Sequence, residues 1–99
     1  MIINTISEIY NWKEASYKIA DVANETTYRI SFIPDGTLST RMFIKNENKR
    51  KFLIPPVTLL ANNNYTVIVK APISGELMLE NRSVDTWEHI SNLEVEELQ

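Results

Sequence analysis

Basic side chains are the first candidates for chemistry in this sequence, because they crowd into one short stretch. Positions 41–51 carry five basic residues and a single acid, whereas positions 76–99 carry seven acids and a single base. The basic stretch could attract an acidic partner. Alternatively, the basic stretch of one copy could pack against the acidic tail of the next in a head-to-tail assembly. A solvated loop is the plainer alternative for the basic stretch. The basic residues predicted to contact a partner are Arg41, Lys49, Arg50, Lys51 and Arg82.

Aromatic side chains beside predicted loops provide a second set of candidate contacts. Trp12, Tyr17 and Trp87 occupy such positions, where a ring can stack on a sugar or anchor a protein interface. A place in the core or at its rim is the alternative for each ring, because aromatic side chains bury a large apolar area. These three residues complete the set of predicted ligand or interface contacts.

Catalytic chemistry has little to draw on. The 99 residues include no cysteine, one histidine and two glycines, which excludes disulfides, thiolate sites and a glycine-rich phosphate loop. His89 has Glu88 and Asp85 nearby, which are too few ligands for a dedicated metal site. Glu94 and Glu96 would share one face of a strand, but no cleft can be assigned to such a carboxylate pair. The sequence therefore predicts no enzyme activity, no metal and no cofactor.

The elements that position these residues are predicted to be strands. Twelve Ile, six Val and eight Thr stand against five Ala, and β-branched side chains fit a pleated sheet better than a helix. Apolar and polar residues alternate over residues 26–33, 38–45 and 65–71, as in half-buried strands. Short β-strands are therefore expected through most of the chain.

Turn signals separate the predicted strands. The two alternating segments on either side of Asp35-Gly36 predict a β-hairpin. Residues 46–51 are predicted to form a polar loop, and Asn62-Asn63-Asn64 a turn, because asparagine tolerates left-handed backbone. Residues 86–99 fit either a helical stripe or a strand. The run of short strands before them favours a last strand that completes a sheet.

Regularly spaced short strands predict one all-β domain spanning residues 1–99, an antiparallel β-sandwich of jelly-roll type. No segment approaches the run of about 18–20 apolar residues that a membrane helix needs, and the first residues do not resemble a secretory signal. We therefore expect no membrane partner and no secretion through a signal peptide. Nucleic acid is not expected as a partner either, because the net charge is −3 and the basic stretch offers no interleaved aromatic platform.

Four segments together are similar to jelly-roll carbohydrate-binding modules, which occur on glycoside hydrolases and on phage tail proteins. The segments are YRISF at residues 28–32, YTVIVKAP at 65–72, LMLEN at 77–81 and ISNLEVEE at 90–97. The resemblance implies a β-sandwich that binds a sugar or a neighbouring protein.

The leading functional hypothesis is a non-enzymatic structural protein, a small bacteriophage virion component such as a capsid decoration protein or a tail or fibre adaptor. It would be made in the host cytoplasm and would assemble with other virion proteins or with copies of itself. The first alternative is a lectin-like module that binds a glycan through Trp12, Tyr17 or Trp87. A further alternative is a small inhibitor that binds a host protein through its acidic face.

Overall fold

Nine β-strands form the fold of the computed structural model, which describes residues 1–12, 16–83 and 88–98. Within those ranges the chain contains no helix, and so none long and apolar enough to cross a membrane. The strands are β1 (Ile2–Trp12), β2 (Ser16–Val22), β3 (Thr27–Pro34), β4 (Leu38–Asn46), β5 (Lys49–Phe52), β6 (Val57–Leu59), β7 (Tyr65–Lys70), β8 (Gly75–Asn81) and β9 (Glu88–Leu98).

Two antiparallel sheets contain these strands. The first sheet has the order β1-β9-β3-β7, and the second has the order β2-β8-β4-β5 with β6 paired to the beginning of β4. The predicted antiparallel β-sandwich is therefore confirmed. The predicted last strand is confirmed as β9, which lies between β1 and β3, although predicted residues 86, 87 and 99 lie outside the described ones.

Alternating side chains fill the space between the two sheets. In β3, Tyr28, Ile30 and Phe32 are buried, whereas Arg29 between them is exposed. Met42 in β4 belongs to the same buried cluster and comes from the second sheet. Full burial of a side chain of this size contributes roughly 1.5–3 kcal/mol through the hydrophobic effect. The alternation visible in the sequence therefore identifies this part of the core.

The predicted hairpin around Asp35-Gly36 is wrong, although both of its strands exist. β3 pairs with β7 and β9 in the first sheet, whereas β4 pairs with β5, β6 and β8 in the second. The segment between them therefore crosses from one sheet to the other. It is held by the Asp35 N–H, which donates to the His89 carbonyl at 2.9 Å, and by the Pro34 carbonyl, which accepts from the Asn62 N–H at 2.7 Å.

The predicted polar loop at residues 46–51 is also wrong, because most of it is strand. β4 continues to Asn46, Glu47 takes a left-handed conformation with φ of 54°, and β5 begins at Lys49. The resulting hairpin places Phe52 opposite Phe43. The predicted asparagine turn agrees with the structure, since Asn62 is left-handed with φ of 64°.

Gly75 begins β8 at a position where the neighbouring strand leaves no space for a side chain. A Cβ added there would lie 2.9 Å from Cγ2 of Ile44 and would collide with the carbonyl oxygen of Lys45. A Cβ added at Gly36, in contrast, meets nothing within 4 Å. The close pairing of β8 with β4 therefore depends on glycine at position 75.

We expect Gly75→Ala to lower the free energy of unfolding by about 2 kcal/mol, because the backbone of β4 must shift to admit the methyl group. Gly36→Ala is the matched control and should change it by less than about 0.5 kcal/mol. Urea denaturation of both variants checks this. Equal midpoints for the two variants would contradict the packing described at Gly75.

The outer face of the first sheet carries an ion pair between β3 and β9. Arg29 donates to Oε1 of Glu96 from Nε at 3.0 Å and also from Nη2, and the amino terminus lies 3.9 Å from Oε2 of Glu96. The hydrogen bond from Arg29 holds the pKa of Glu96 below its ordinary value. A depressed carboxyl pKa in the folded state stabilises the fold above the unfolded pKa, and this contribution is lost as pH falls through the folded value.

Glu96→Gln should therefore destabilise the protein at pH 7 and should cost less at pH 3, because falling pH protonates a growing fraction of the native carboxyl and removes the charge that the amide lacks. Glu94→Gln is the control, because Glu94 is an exposed acid on the same face and no described residue forms an ion pair with it. Unfolding midpoints in urea at the two pH values provide the measurement. A Glu96→Gln effect of equal size at both would show that the charge is not its source.

Candidate functional site

The outer face of the second sheet gathers polar and aromatic side chains in rows across its strands. Directly opposed residues of antiparallel strands share a face, so the strand register defines each row. Ser16 of β2, Glu80 of β8 and Arg41 of β4 form the first row. Met78, Phe43 and Phe52 form the second row, and Glu76, Lys45 and Arg50 form the third.

Phe43 is buried although it points away from the core. Only 1% of its surface is exposed, because the Phe52 ring lies 5.4 Å away and the Arg50 guanidinium lies 4.4 Å above its centre. The Arg41 guanidinium in turn lies 4.1 Å from the centre of the Phe52 ring. Guanidinium groups over aromatic faces gain from the charge distribution of the ring as well as from apolar contact. Two arginines therefore have fixed positions on this face.

Glu80 holds a further arginine beside this stack. Its carboxylate accepts from Arg41 Nε at 3.1 Å and from Arg82 Nη1 at 3.4 Å, and its side chain is only 17% exposed. The backbone of Glu80 is fixed as well, since the buried Thr40 hydroxyl donates to its carbonyl at 2.6 Å. Arg41 thus belongs both to the aromatic stack and to the ion-pair cluster.

A groove of about 370 Å³ opens between these side chains. It is lined by Ser16, Arg41, Arg50, Glu80, Asn81 and Arg82. Two hollows adjoin the groove. The one of about 400 Å³ shares Ser16 and Arg50 with it, and the one of about 290 Å³ shares Arg41. Pockets that hold small ligands begin at about 300 Å³, so the groove has room for a sugar-sized molecule.

The groove brings together three of the predicted contact residues, Arg41, Arg50 and Arg82. Lys49 and Lys51 alternate with Arg50 along β5, so they lie on the other side of that strand. Their contact with a partner stays a prediction, as does the assembly of copies through opposite charges. Part of the predicted basic charge is already paired within the chain, since Glu80 forms ion pairs with Arg41 and Arg82.

Tyr17, the predicted aromatic contact whose side chain the structure describes, does not line the groove. Tyr17 is 41% exposed, but it lies opposite the core residue Leu79 and so points to the inner side of its sheet. The Trp12 side chain and all of Trp87 lie outside the described residues. Among the described residues, Phe43 and Phe52 are aromatic side chains beside the groove, and sequence reasoning missed both. A hairpin predicted at residues 46–51 would have revealed them, because it sets these two rings opposite each other.

His89 lies between β1 and the segment that crosses the sheets. Its ring stacks on Tyr10 at 4.3 Å, and its Nδ1 and Nε2 lie 3.4 Å from Asp35 and 3.8 Å from Glu8. The two carboxylates thus face different ring nitrogens and cannot share a metal ion with the imidazole. Throughout the described ranges, no three histidine, aspartate or glutamate side chains form a set of metal ligands.

Comparison with known proteins reveals likeness at the level of structure. No protein-family model and no curated protein sequence matches the chain. A mutant of a family 29 carbohydrate-binding module has a similar structure, with a TM-score of 0.57 and 11% identity over 98% of this chain and 83% of that one. This chain shares the β-sandwich fold of that module. The resemblance expected from the sequence is therefore confirmed for the fold, and no comparison supports the expected phage virion component.

We expect Arg41 and Phe52 to stabilise each other by about 0.5–1 kcal/mol, the usual strength of a guanidinium over an aromatic ring at a partly exposed site. A double-mutant cycle with Arg41→Ala and Phe52→Ala, followed by urea unfolding, isolates this coupling. Arg29→Ala combined with Phe52→Ala is the control and should show no coupling, because Arg29 belongs to the other sheet. Additive losses in the first cycle would contradict the stack.

Proposed function

We propose that this protein binds carbohydrate in the groove formed by Arg41, Glu80 and Arg82. The observation that carries the proposal is the pairing of fixed donors with a fixed acceptor, since Glu80 is held by Arg41 and Arg82 while all three line one groove. Sugar hydroxyls both donate and accept hydrogen bonds, so they match guanidinium donors and a carboxylate acceptor placed together. The Ser16 hydroxyl adds a group that can do either.

An apolar surface accompanies these polar groups, as sugar binding requires. Phe52 is 46% exposed and lies in the hollow next to the groove. A sugar ring has apolar faces formed by its C–H groups, and an aromatic side chain offers them a flat contact. The groove with its neighbouring hollow thus combines oriented polar groups with an apolar wall, which is the usual composition of a small-ligand site.

The fold is consistent with a binding role, since the protein of similar structure is named as a carbohydrate-binding module. Fold alone does not establish function, so the argument rests on the groove. Binding without catalysis is the form that we propose. Hydrolysis of a glycosidic bond uses a pair of carboxyl groups, and Glu80 is the single carboxylate among the described residues that line the groove.

A glycan array followed by calorimetric titration of the best ligand tests the proposal. We expect Arg82→Ala to weaken binding at least tenfold, which corresponds to about 1.4 kcal/mol. Arg29→Ala is the matched control, because Arg29 is also paired with a glutamate but lies on the first sheet. Its variant should bind as the wild type does. An array without any bound sugar, or equal losses in the two variants, would contradict the proposal.

A further inference from the structure

The groove carries more positive than negative charge. Three guanidinium groups line it, and Glu80 is the one carboxylate among its described lining residues. Glu80 forms ion pairs with Arg41 and Arg82. Arg50 has no acidic partner within the described part of the chain, and its charged group lies instead over the rings of Phe43 and Phe52. This excess of cations stands out in a chain whose net charge is −3.

The arginines retain hydrogen-bond donors after their contacts with Glu80 are counted. A guanidinium has five N–H groups, whereas Arg41 contacts Glu80 through Nε and Arg82 contacts it through Nη1. The planar end of a guanidinium binds both oxygens of a carboxylate or sulfate side by side. Aromatic contact already restricts Arg41 and Arg50, so little side-chain freedom remains to be lost on binding.

We propose that the groove selects an anionic sugar, whose carboxylate or sulfate lies between Arg50 and the Arg41–Glu80–Arg82 cluster. This inference rests on the proposed carbohydrate binding. A neutral sugar would take water away from Arg50 without supplying the opposite charge, and desolvating an unpaired cation is costly. An anionic group on the sugar supplies a negative charge next to Arg50, for which no described residue provides an acidic partner. A uronate carboxylate and a sugar sulfate both supply such a negative charge.

A long polyanion such as a nucleic acid fits the surroundings of the groove less well. Glu76 and Glu80 lie on the same face, and the chain as a whole is acidic. These charges repel an extended phosphate backbone, whereas a single anionic group in the groove avoids most of them. The groove volume of about 370 Å³ also corresponds to a small ligand and not to a strand of bases.

Matched ligand pairs, each with one anionic and one neutral member on the same sugar backbone, test the inference by calorimetric titration. A tetragalacturonate is compared with its methyl ester, and a carrageenan tetrasaccharide with its desulfated form. We expect the anionic member of at least one pair to bind ten or more times more tightly than its neutral partner. The preference should shrink as salt is added, because ions screen a partly exposed charge pair. The pair that responds identifies carboxylate or sulfate as the recognised group.

Arg50→Met removes the charge but keeps an apolar chain over Phe43, so we expect a folded variant without the preference for the anionic member. Arg29→Met removes an arginine from the outer face of the other sheet and should leave the preference intact. Far-ultraviolet circular dichroism and a thermal melt show whether each variant is folded. A folded Arg50→Met variant that keeps the full preference would overturn the role of Arg50 in selection.

The remaining outcomes separate this inference from the function on which it rests. Equal or tighter binding of the neutral members overturns selection of an anion while leaving carbohydrate binding in place. Absence of binding to all four sugars and to the glycan array overturns both. A single-stranded oligonucleotide that binds as tightly as the best anionic sugar overturns the inference too, because the groove would then be a general site for polyanions.

Discussion

The alternation of side chains along β4 is the constraint on which both the core and the groove depend. Thr40, Met42 and Ile44 point inward and are fully buried, so the residues between them must point outward. One of those is Phe43, whose ring would stand in water if nothing covered it. Phe52 and Arg50 from the neighbouring β5 provide the cover. The cover over the outward-pointing Phe43 ring thus fixes Arg50 at the edge of the groove.

Arg41 connects this aromatic cover to the ion-pair cluster. Its guanidinium lies over Phe52 on one side and donates to Glu80 on the other, so it joins β5, β4 and β8 through side chains alone. A slip of β8 by one residue would turn Glu80 to the inner side and break the ion pair, while it would also turn Leu79 out of the core. The polar outer face therefore supports the same strand register as the apolar inner one.

Sequence patterns predict where the strands of this fold lie better than they predict which strands pair with each other. The alternation of Tyr28, Ile30 and Phe32 identifies a strand and its buried side, because both follow from a local period of two. Asp35-Gly36 favours a tight turn in the same local way, but the choice between pairing within one sheet and crossing to the other depends on distant strands. Here β7 and β9 occupy both sides of β3, so β4 must find its partners elsewhere.

The groove was harder to predict for a related reason. Its arginines stand out by charge, but the two rings beside them become neighbours only through a tight turn at Glu47–Asn48. Glu47 adopts left-handed backbone there, which is uncommon for a residue with a long side chain and gives no signal in the sequence. Residue types therefore identify the charged groups, whereas the geometry that makes them a site follows from one unexpected turn.

The position of β9 inside the first sheet has a consequence for the order of folding. β9 pairs with β1 on one side and with β3 on the other, although Ile2 and its partner Glu96 are separated by almost the whole sequence. During synthesis, β1 and β3 must therefore wait without their common neighbour until the ribosome has released residues 88–98. Pairings between such distant residues slow folding and expose strand edges. Loss of β9 would remove the strand that joins β1 to β3 in the first sheet.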